Sequence, residues 1–361
     1  MTGRILTIVT VGPASRSTEI LKKLKTNDVD SFRLNLSHLN EESLIKFEKE
    51  LSDLGISPSL DTQGPQLRIS SLSADTLQLN SSERIILAAE GEKTVSQAVD
   101  LEHPSVAINH PEALSQLYEG DYLRLDFDGV ICKVVKEKKD DGTIELEVVS
   151  GGTIKQNRAI DLVSKQIKLD PFTPLDKFAI EKSRTWKTKE LFISFCSGSE
   201  PINCARRINP ELEIISKIES IQGLYNLDEI LTHTDAILID RGDLSREIGI
   251  SRVPRVVKSI INKSHSYDKP VYVATNILDS MMTATLPSRS EISDIYTLLE
   301  LGVSGIVLAA ECAIGAHPVE SVQLVNYLKA LHKLEKDGFL SVSDIDRSLR
   351  DKLSEPLRTW I

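Results

Sequence analysis

Residues 213–244 read EIISKIESIQGLYNLDEILTHTDAILIDRGDL. An apolar run from Glu213 to Ile218 gives way to a stretch with apolar residues at helical spacing, Ile221 to Leu231, and then to a second apolar run, Ala236 to Ile239. The runs are too short for helices, and the stretch between them is long enough to carry the chain back for a parallel pairing. Together they spell a βαβ unit.

The same alternation continues on both sides. Further strand-like runs are Ile5 to Val11, Ser31 to Asn35, Pro58 to Asp61, Leu191 to Phe195, Val271 to Ala274 and Gly305 to Leu308, eight in all. Helix-like segments lie at Thr18 to Lys25, Glu41 to Leu54, Pro201 to Ile208, Val253 to His265, Ser290 to Leu301 and Val319 to Leu334, with Ser17 and Ser290 as candidate N-caps. From about Arg68 to Arg158 the pattern breaks. Short alternating segments such as Asp121 to Val135 and Thr143 to Val149, separated by Asp140-Asp141-Gly142, read as an antiparallel β module inserted after the third strand. Without it, residues 1–67 and 159–335 remain, close to the roughly 250 residues of a (β/α)8 barrel. The expected fold is therefore α/β: a (β/α)8 TIM barrel, an inserted β domain over 68–158, and a short tail over 336–361 with one helix around Ser343 to Leu353.

The 361 residues carry 43 Lys plus Arg against 53 Asp plus Glu, a formal charge of −10. Such a surface has no general attraction for a polyphosphate backbone, which argues against nucleic acid as a partner; an anionic ligand must meet locally placed cations. Cys132, Cys196, Cys204 and Cys312 are widely spaced, without a CxxC pair, and read as reduced thiols rather than disulfides or a zinc site. No run reaches membrane-spanning length, so the expected location is the cytoplasm, with no membrane partner.

In such a barrel the active site forms at the C-terminal ends of the strands. The second run ends in Arg33-Leu34-Asn35-Leu36-Ser37-His38, the third in Asp61-Thr62 and the fifth in Lys217-Ile218-Glu219; the sixth continues to Arg241-Gly242-Asp243, the seventh to Thr275-Asn276, and Glu311 follows the eighth. One polar residue at a strand end is more simply a helix cap or turn former. Ionisable groups from several strands on one rim ask for more. Lys217 and Glu219, two apart, leave one face and point with Asp243 toward the barrel axis. Two carboxylates suit Mg²⁺, which commonly takes one or two plus waters and substrate oxygens. Lys217 and Arg33 then supply fixed positive charge for a phosphoryl group in transfer, and Lys217→Met is expected to abolish transfer while leaving the fold intact. Elsewhere the reading is plainer: His103 and His110 as exposed loop residues, Met281-Met282 as core, and Lys136 to Asp141 as a solvated hairpin end.

With these residues in view, the chain resembles the pyruvate kinase family. TIVTVGPAS, FRLNLSH, DTQGPQLR, ISKIES, DRGDLS, VATNILDSM, LPSRSEISD and LAAECAIGAHPVE occur in the family's order from Ile5 to about Leu334. The resemblance implies a barrel interrupted after its third strand by a small β-barrel lid that closes over a nucleotide. It makes Arg33 and Lys217 the phosphoryl-binding cations, Glu219 and Asp243 the ligands of Mg²⁺ (or Mn²⁺), and Asn35, Ser37, Asp61 and Thr62 a monovalent-cation site. Arg68 would reach the phosphates of ADP or ATP, and Asp128 and Arg158 match nucleotide positions in outline. Thr275, Gly242 and Asn276 would lie beside the substrate acid. The family reaction moves the phosphoryl of phosphoenolpyruvate to ADP, after which the enolate is protonated to pyruvate.

The chain departs from the family at Ala309-Ala310-Glu311, where Ser-Gly-Glu is usual, at Asn276 in place of glutamine, at Gln63 and Gln66 where lysine and, in potassium-dependent members, glutamate stand, and in the loop Ser194-Phe195-Cys196-Ser197-Gly198, which lacks a common basic pair. These changes leave K⁺ dependence and the identity of the enol phosphate or keto acid open. The family's C-terminal regulatory domain has no counterpart in these residues, which leaves a homo-oligomer open as well. A metal-enolate lyase or decarboxylase, or a degenerate sensor or partner subunit, are the alternatives to a phosphotransferase.

Overall fold

Each of the eight aliphatic runs becomes a parallel strand of one closed barrel: β1 (Leu6–Thr10), β2 (Ser31–Asn35), β3 (Pro58–Asp61), β4 (Glu190–Ile193), β5 (Glu213–Ile218), β6 (Ala236–Asp240), β7 (Val271–Ala274) and β8 (Gly305–Leu308). Spatial order follows chain order, with β8 pairing back to β1. The computed structural model describes residues 4–89, 103–125, 129–136, 142–156, 158–163, 167–336, 349–351 and 353–360. The chain divides into two compact units, residues 1–64 with 174–361, and residues 65–173.

Strand pleating sorts the barrel interior into layers, because residues two apart leave the same face. Ile8, Phe192, Ile215, Leu238, Tyr272 and Val307 pack as a buried apolar cluster. One step toward the strand N-termini, the Ser31 and Ser59 hydroxyls meet each other, and each lies 2.5 Å from Glu190 Oε2. One step the other way, the same alternation brings up Thr10, Arg33, Asp61, Ser194, Lys217 and Asp240. The apolar cluster is the floor on which that polar layer stands.

The surrounding helices begin at identifiable caps. Ser17 accepts from Ile20 N at the start of Thr18–Thr26, and Asn40 with Ser43 forms a capping box before Glu41–Ser52. For Arg289–Glu300 the expected cap is corrected: Ser288, not Ser290, is the N-cap. The reason is the glutamate three residues on, since Glu291 returns a bond to the Ser288 backbone while Ser288 accepts from Glu291 N. A helix absent from the sequence reading, Pro174–Lys182, precedes β4. Its buried Asp176 accepts from Gln63 N (2.8 Å) and Gly64 N (3.3 Å) and fixes the turn after β3. Gly64 has φ +73°, and a Cβ there would come within 2.9 Å of Ser194; the turn needs glycine on both counts. In the tail, Glu355–Trp360 is helical and Leu353 and Leu357 are buried, with Ser354 N donating to Gln323 of the helix Pro318–Lys336.

The inserted unit is a barrel-like sheet of seven strands in the order Ile160–Leu162, Tyr122–Leu125, Val130–Lys136, Ile144–Ser150, Arg84–Ala89, Ser105–Ile108, Ile69–Leu72. Its two edges meet through an Arg68–Ala159 bridge, with Ile69 N donating to Arg158 O and Ile160 N to Leu67 O, both at 2.8 Å. Strict alternation in Val130–Lys136 and Ile144–Ser150 buries Val130, Cys132, Val134, Ile144, Leu146 and Val148 in its core. His110 belongs to this interior and not to an exposed loop as expected. Its ring is 3 % exposed, with Nδ1 2.9 Å from Glu112 Oε1, a contact that offsets the cost of burying the imidazole. Asp128, the Asp140-Asp141 turn and most of Ser343 to Leu353 lie outside the described residues.

All four cysteines are free thiols. Burial pushes Cys132 up to about 12 and Cys196 up to about 11, which keeps both as unreactive thiols. Among the described residues no helix is long and apolar enough to cross a membrane.

Candidate active site

The polar layer at the C-terminal rim assembles strand by strand. Arg33 in β2 is buried; its Nε and Nη2 donate to Thr10 Oγ1 of β1 at 3.0 and 2.7 Å, and its Nη1 approaches Asp61 Oδ2 of β3 at 2.9 Å as an ion pair out of hydrogen-bond alignment. Ser194, directly after β4, donates through Oγ to Thr62 O (2.7 Å) and accepts from Lys217 Nζ of β5 at 3.0 Å. Lys217 Nζ in turn lies 2.9 Å from Glu219 Oε1, 3.2 Å from Asp61 Oδ1 and 3.8 Å from Asp240 Oδ2 at the end of β6.

These groups are nearly dry. Arg33, Asp61, Lys217, Glu219 and Asp240 are all buried. Burial by itself opposes the charge on Lys217, but Asp61, Glu219 and Asp240 together outweigh it and hold the ammonium protonated well above the ordinary lysine range. For Glu219, burial comes first and Asp240 and Asp243 act with it, while Lys217 and the Phe195 N–H oppose; its carboxyl is pushed up to about 8. One ligand oxygen from each of Glu219, Asp240 and Asp243 lies within 4.8 Å of the other two. Counting Asp61, four carboxyl groups face the cations Arg33 and Lys217, an excess of two negative charges once Glu219 is ionised, as it would be with a cation bound. Glu219 Oε2 accepts from Phe195 N at 2.6 Å, but Oε1 is buried with no hydrogen bond. Carboxylate oxygens, an excess of negative charge and a buried carboxylate oxygen held by an ion pair without a hydrogen bond suit a hard divalent cation such as Mg²⁺ or Mn²⁺.

The opposite wall is the turn after β7. Thr275 and Asn276 both have positive φ, 65° and 53°, a conformation that costs a β-branched residue of order 1–3 kcal/mol. Two clamps hold it. Arg241 donates from Nε and Nη2 to Thr275 O (3.1 and 2.9 Å) and from Nη2 to Asn276 O (2.7 Å), while its Nη1 pairs with Asp294 at 2.6 Å. Buried Glu311 accepts from Ile277 N and Leu278 N, both at 3.1 Å, and from Ala309 N at 2.9 Å. In this setting Thr275 Oγ1 accepts from Gly242 N (2.8 Å) and lies 3.0 Å from Asp240 Oδ1, so the turn and the acidic cluster share a hydrogen-bond network.

Of the residues singled out in the sequence, the geometry brings Arg33, Asp61, Lys217, Glu219, Gly242, Asp243 and Thr275 into this connected arrangement. Thr62 abuts it, its Oγ1 accepting from Ser194 N at 2.9 Å. Asn35 pairs with Asp61 in register, but its side chain accepts from Ser37 N and caps the short turn Leu36–His38. The Asn276 side chain is exposed, and the residue is held through its carbonyl. Asp243 pairs with Arg246 at 3.0 Å. Arg68 and Arg158 stand at the bridged edges of the inserted unit.

Sequence reading missed Asp240, Ser194, Thr10 and Arg241. The first three were legible in principle, since alternation from Leu238, Phe192 and Ile8 puts each on the inner face. The apolar run Ala236 to Ile239 stops one residue short of the strand's end at Asp240. Arg241 carried no such signal, because its partners are main-chain carbonyls 34 and 35 positions away.

Comparison with known proteins now bears on this geometry. The chain is 30 % identical over 338 residues to a pyruvate kinase of Methylorubrum extorquens, with 92 % of this chain and 68 % of that protein covered. It is 33 % identical over 345 residues to a pyruvate kinase of Agrobacterium vitis (92 % and 69 %), and 30 % identical over 340 residues to one of Thermotoga maritima (91 % and 71 %). A crystal structure of a pyruvate kinase from Cryptosporidium parvum superposes with a TM-score of 0.74 at 22 % identity, covering 98 % of this chain and 73 % of that one, and supports the fold. The model of the pyruvate kinase barrel domain matches residues 3–322, and with that extent of match the chain belongs to the pyruvate kinase family.

Proposed function

We propose that the chain is a divalent-metal-dependent phosphotransferase that moves a phosphoryl group between phosphoenolpyruvate, or a closely related enol phosphate, and ADP. The observation that carries this reading is the layer in which Arg33 and Lys217 stand directly beside Glu219, Asp240 and Asp243. Fixed cations next to a carboxylate cluster are what phosphoryl transfer needs, since its catalysis is mostly positioning and charge stabilisation.

Glu219 and Asp243 would hold Mg²⁺ or Mn²⁺. When bound, that ion supplies Lewis-acid stabilisation of an enolate oxygen and of the transferring phosphoryl. The chain's own groups do the rest. Lys217, kept protonated by the carboxylates around it, neutralises charge on the phosphoryl oxygens, and Arg33, locked by Thr10 and Asp61, presents a second positive charge that does not need to reorganise. The Gly242 N–H and Thr275 hydroxyl orient the acid end of the substrate. Ala309 brings no hydroxyl to the strand-eight loop, and the Thr275 hydroxyl, already in the cluster beside Asp240, is assigned to return a proton to an enolate. Arg68 and Arg158 are assigned to the nucleotide phosphates, and Asn35, Ser37, Asp61 and Thr62 to a monovalent ion, K⁺ among the candidates.

The test is a coupled assay for pyruvate from phosphoenolpyruvate and ADP with Mg²⁺ or Mn²⁺, with and without K⁺. Metal-dependent turnover that chelation abolishes is the expected result. Nucleotide-independent turnover of a keto acid would replace the transfer reading with a lyase.

A further inference from the structure

We infer that Asp240 is a third carboxylate ligand of the divalent ion, completing a site that takes the metal before any substrate arrives; the inference rests on the metal-dependent reading above. Asp240 ends β6, and the Ala236, Leu238, Asp240 alternation turns its side chain to the barrel interior. Its two oxygens have different surroundings. Oδ1 is engaged by Thr275 Oγ1 at 3.0 Å and Gly242 N at 3.3 Å, which fixes the carboxylate plane. Oδ2 meets Lys217 Nζ only at 3.8 Å, beyond a hydrogen bond, and is the oxygen left for a cation. A second observation bears on the same place: Glu219 Oε1, on a side chain 1 % exposed, makes no hydrogen bond, its contact being the out-of-line ion pair with Lys217 Nζ at 2.9 Å.

A plainer role exists, because Asp240 also caps the helix Arg241–Ile248 through its contact with Gly242 N. Capping does not need a charge, and Asn or Ser serves as well at that position. What the charge adds is electrostatic. With Asp240 ionised, the three clustered carboxylates exceed the single charge of Lys217 by two, so a divalent ion neutralises the cluster without help from a substrate anion. With Asn in its place the excess falls to one.

The discriminating experiment measures Mn²⁺ binding to the intact, substrate-free chain by electron paramagnetic resonance of free Mn²⁺, with Mg²⁺ as competitor. Asp240→Asn keeps an amide oxygen for Thr275 and Gly242 and is expected to melt near the parent, yet to weaken Mn²⁺ at least tenfold. Glu219→Gln is expected to remove the same site. Equal affinity in parent and Asp240→Asn overturns the assignment of Asp240 and leaves the metal-dependent reading standing. If Asp240→Ala weakens binding and Asp240→Asn does not, the residue acts through its cap and Thr275, and the assignment is again overturned. A parent with no saturable Mn²⁺ site, or one indifferent to Glu219→Gln, overturns both.

Discussion

Replacing Lys217 by Met tests the electrostatic account of the rim most directly. The ammonium lies 2.9, 3.2 and 3.8 Å from three carboxylates and 3.0 Å from Ser194 Oγ, all in a buried layer. Without it, Arg33 alone faces Asp61, Glu219, Asp240 and Asp243, and the excess of negative charge rises by one. Removing one partner of a buried ion pair costs roughly 3–5 kcal/mol because the other is left uncompensated. The loss does not triple with three partners, since Glu219, already pushed up to about 8, holds a proton at pH 7 and so contributes little of the repulsion. At roughly 2–4 °C per kcal/mol for a domain of this size, the barrel's melting transition falls by about 10 °C at pH 7 in the presence of a chelator. The structure thus revises the expectation from spacing alone that Lys217→Met leaves folding untouched. Two dependences follow: raising the pH from 7 past 8 widens the gap to the parent, because Glu219 resists ionisation to higher pH once Lys217 is gone, and millimolar Mg²⁺ or Mn²⁺ stabilises the variant more than the parent, because binding to the native state raises its stability by mass action. Phosphoryl transfer falls at least about 100-fold under all these conditions. Differential scanning calorimetry with and without the ion, beside the coupled assay, reads both effects. A variant that melts with the parent in chelator, or that turns over at the parent's rate, refutes the charge balance drawn here.

Two further predictions address the β7 turn and the other end of the barrel. Arg241→Lys keeps the charge toward Asp294 but loses the fork that spans the Thr275 and Asn276 carbonyls; two charge-assisted bonds at roughly 1.5 kcal/mol each give about 3 kcal/mol of destabilisation and a raised KM for the substrate acid, and a melt and KM within error of the parent would show that the positive-φ turn is held by Glu311 alone. Lys329 is half-buried with Nζ 2.6 Å from Thr7 Oγ1 and 3.1 Å from Asn326 Oδ1, and burial lowers its pKa to about 8, with Asp30 opposing. Between about pH 8 and 10.5 the unfolded chain therefore holds a proton that the folded chain has released, so stability rises with pH across that window. Relative to Lys329→Met, which does not titrate, the parent gains roughly 2 kcal/mol from pH 7 to pH 10 in denaturant titrations; a flat or falling difference would contradict the depressed lysine.

Periodicity alone determined the barrel. Eight aliphatic runs separated by helix-length stretches admit few arrangements, because a strand buried on both faces reads as a continuous apolar run and a parallel pair needs a long crossover. The same two-residue alternation already marked Lys217 and Glu219 as groups of one face, and the insertion announced itself by a change of period. Local chemistry placed the Ser17 cap and missed Ser288, where the reciprocal bond from Glu291 decides the start. What the tertiary structure alone decided is which partners these side chains find. Alternation puts Asp240 on the inner face; that it stands between Lys217 and Thr275 depends on the register of β5, β6 and β7. Arg241 and Glu311 act on backbone groups of a distant turn, and main-chain carbonyls and N–H groups look alike at every position in a sequence. His110 is buried by a core whose strands come from Ile69 to Leu162. Short-range pattern follows from steric and solvation rules that act on neighbours, whereas charge balance at the rim is a sum over groups from four strands, and only closing the barrel brings them within Coulombic reach of one another.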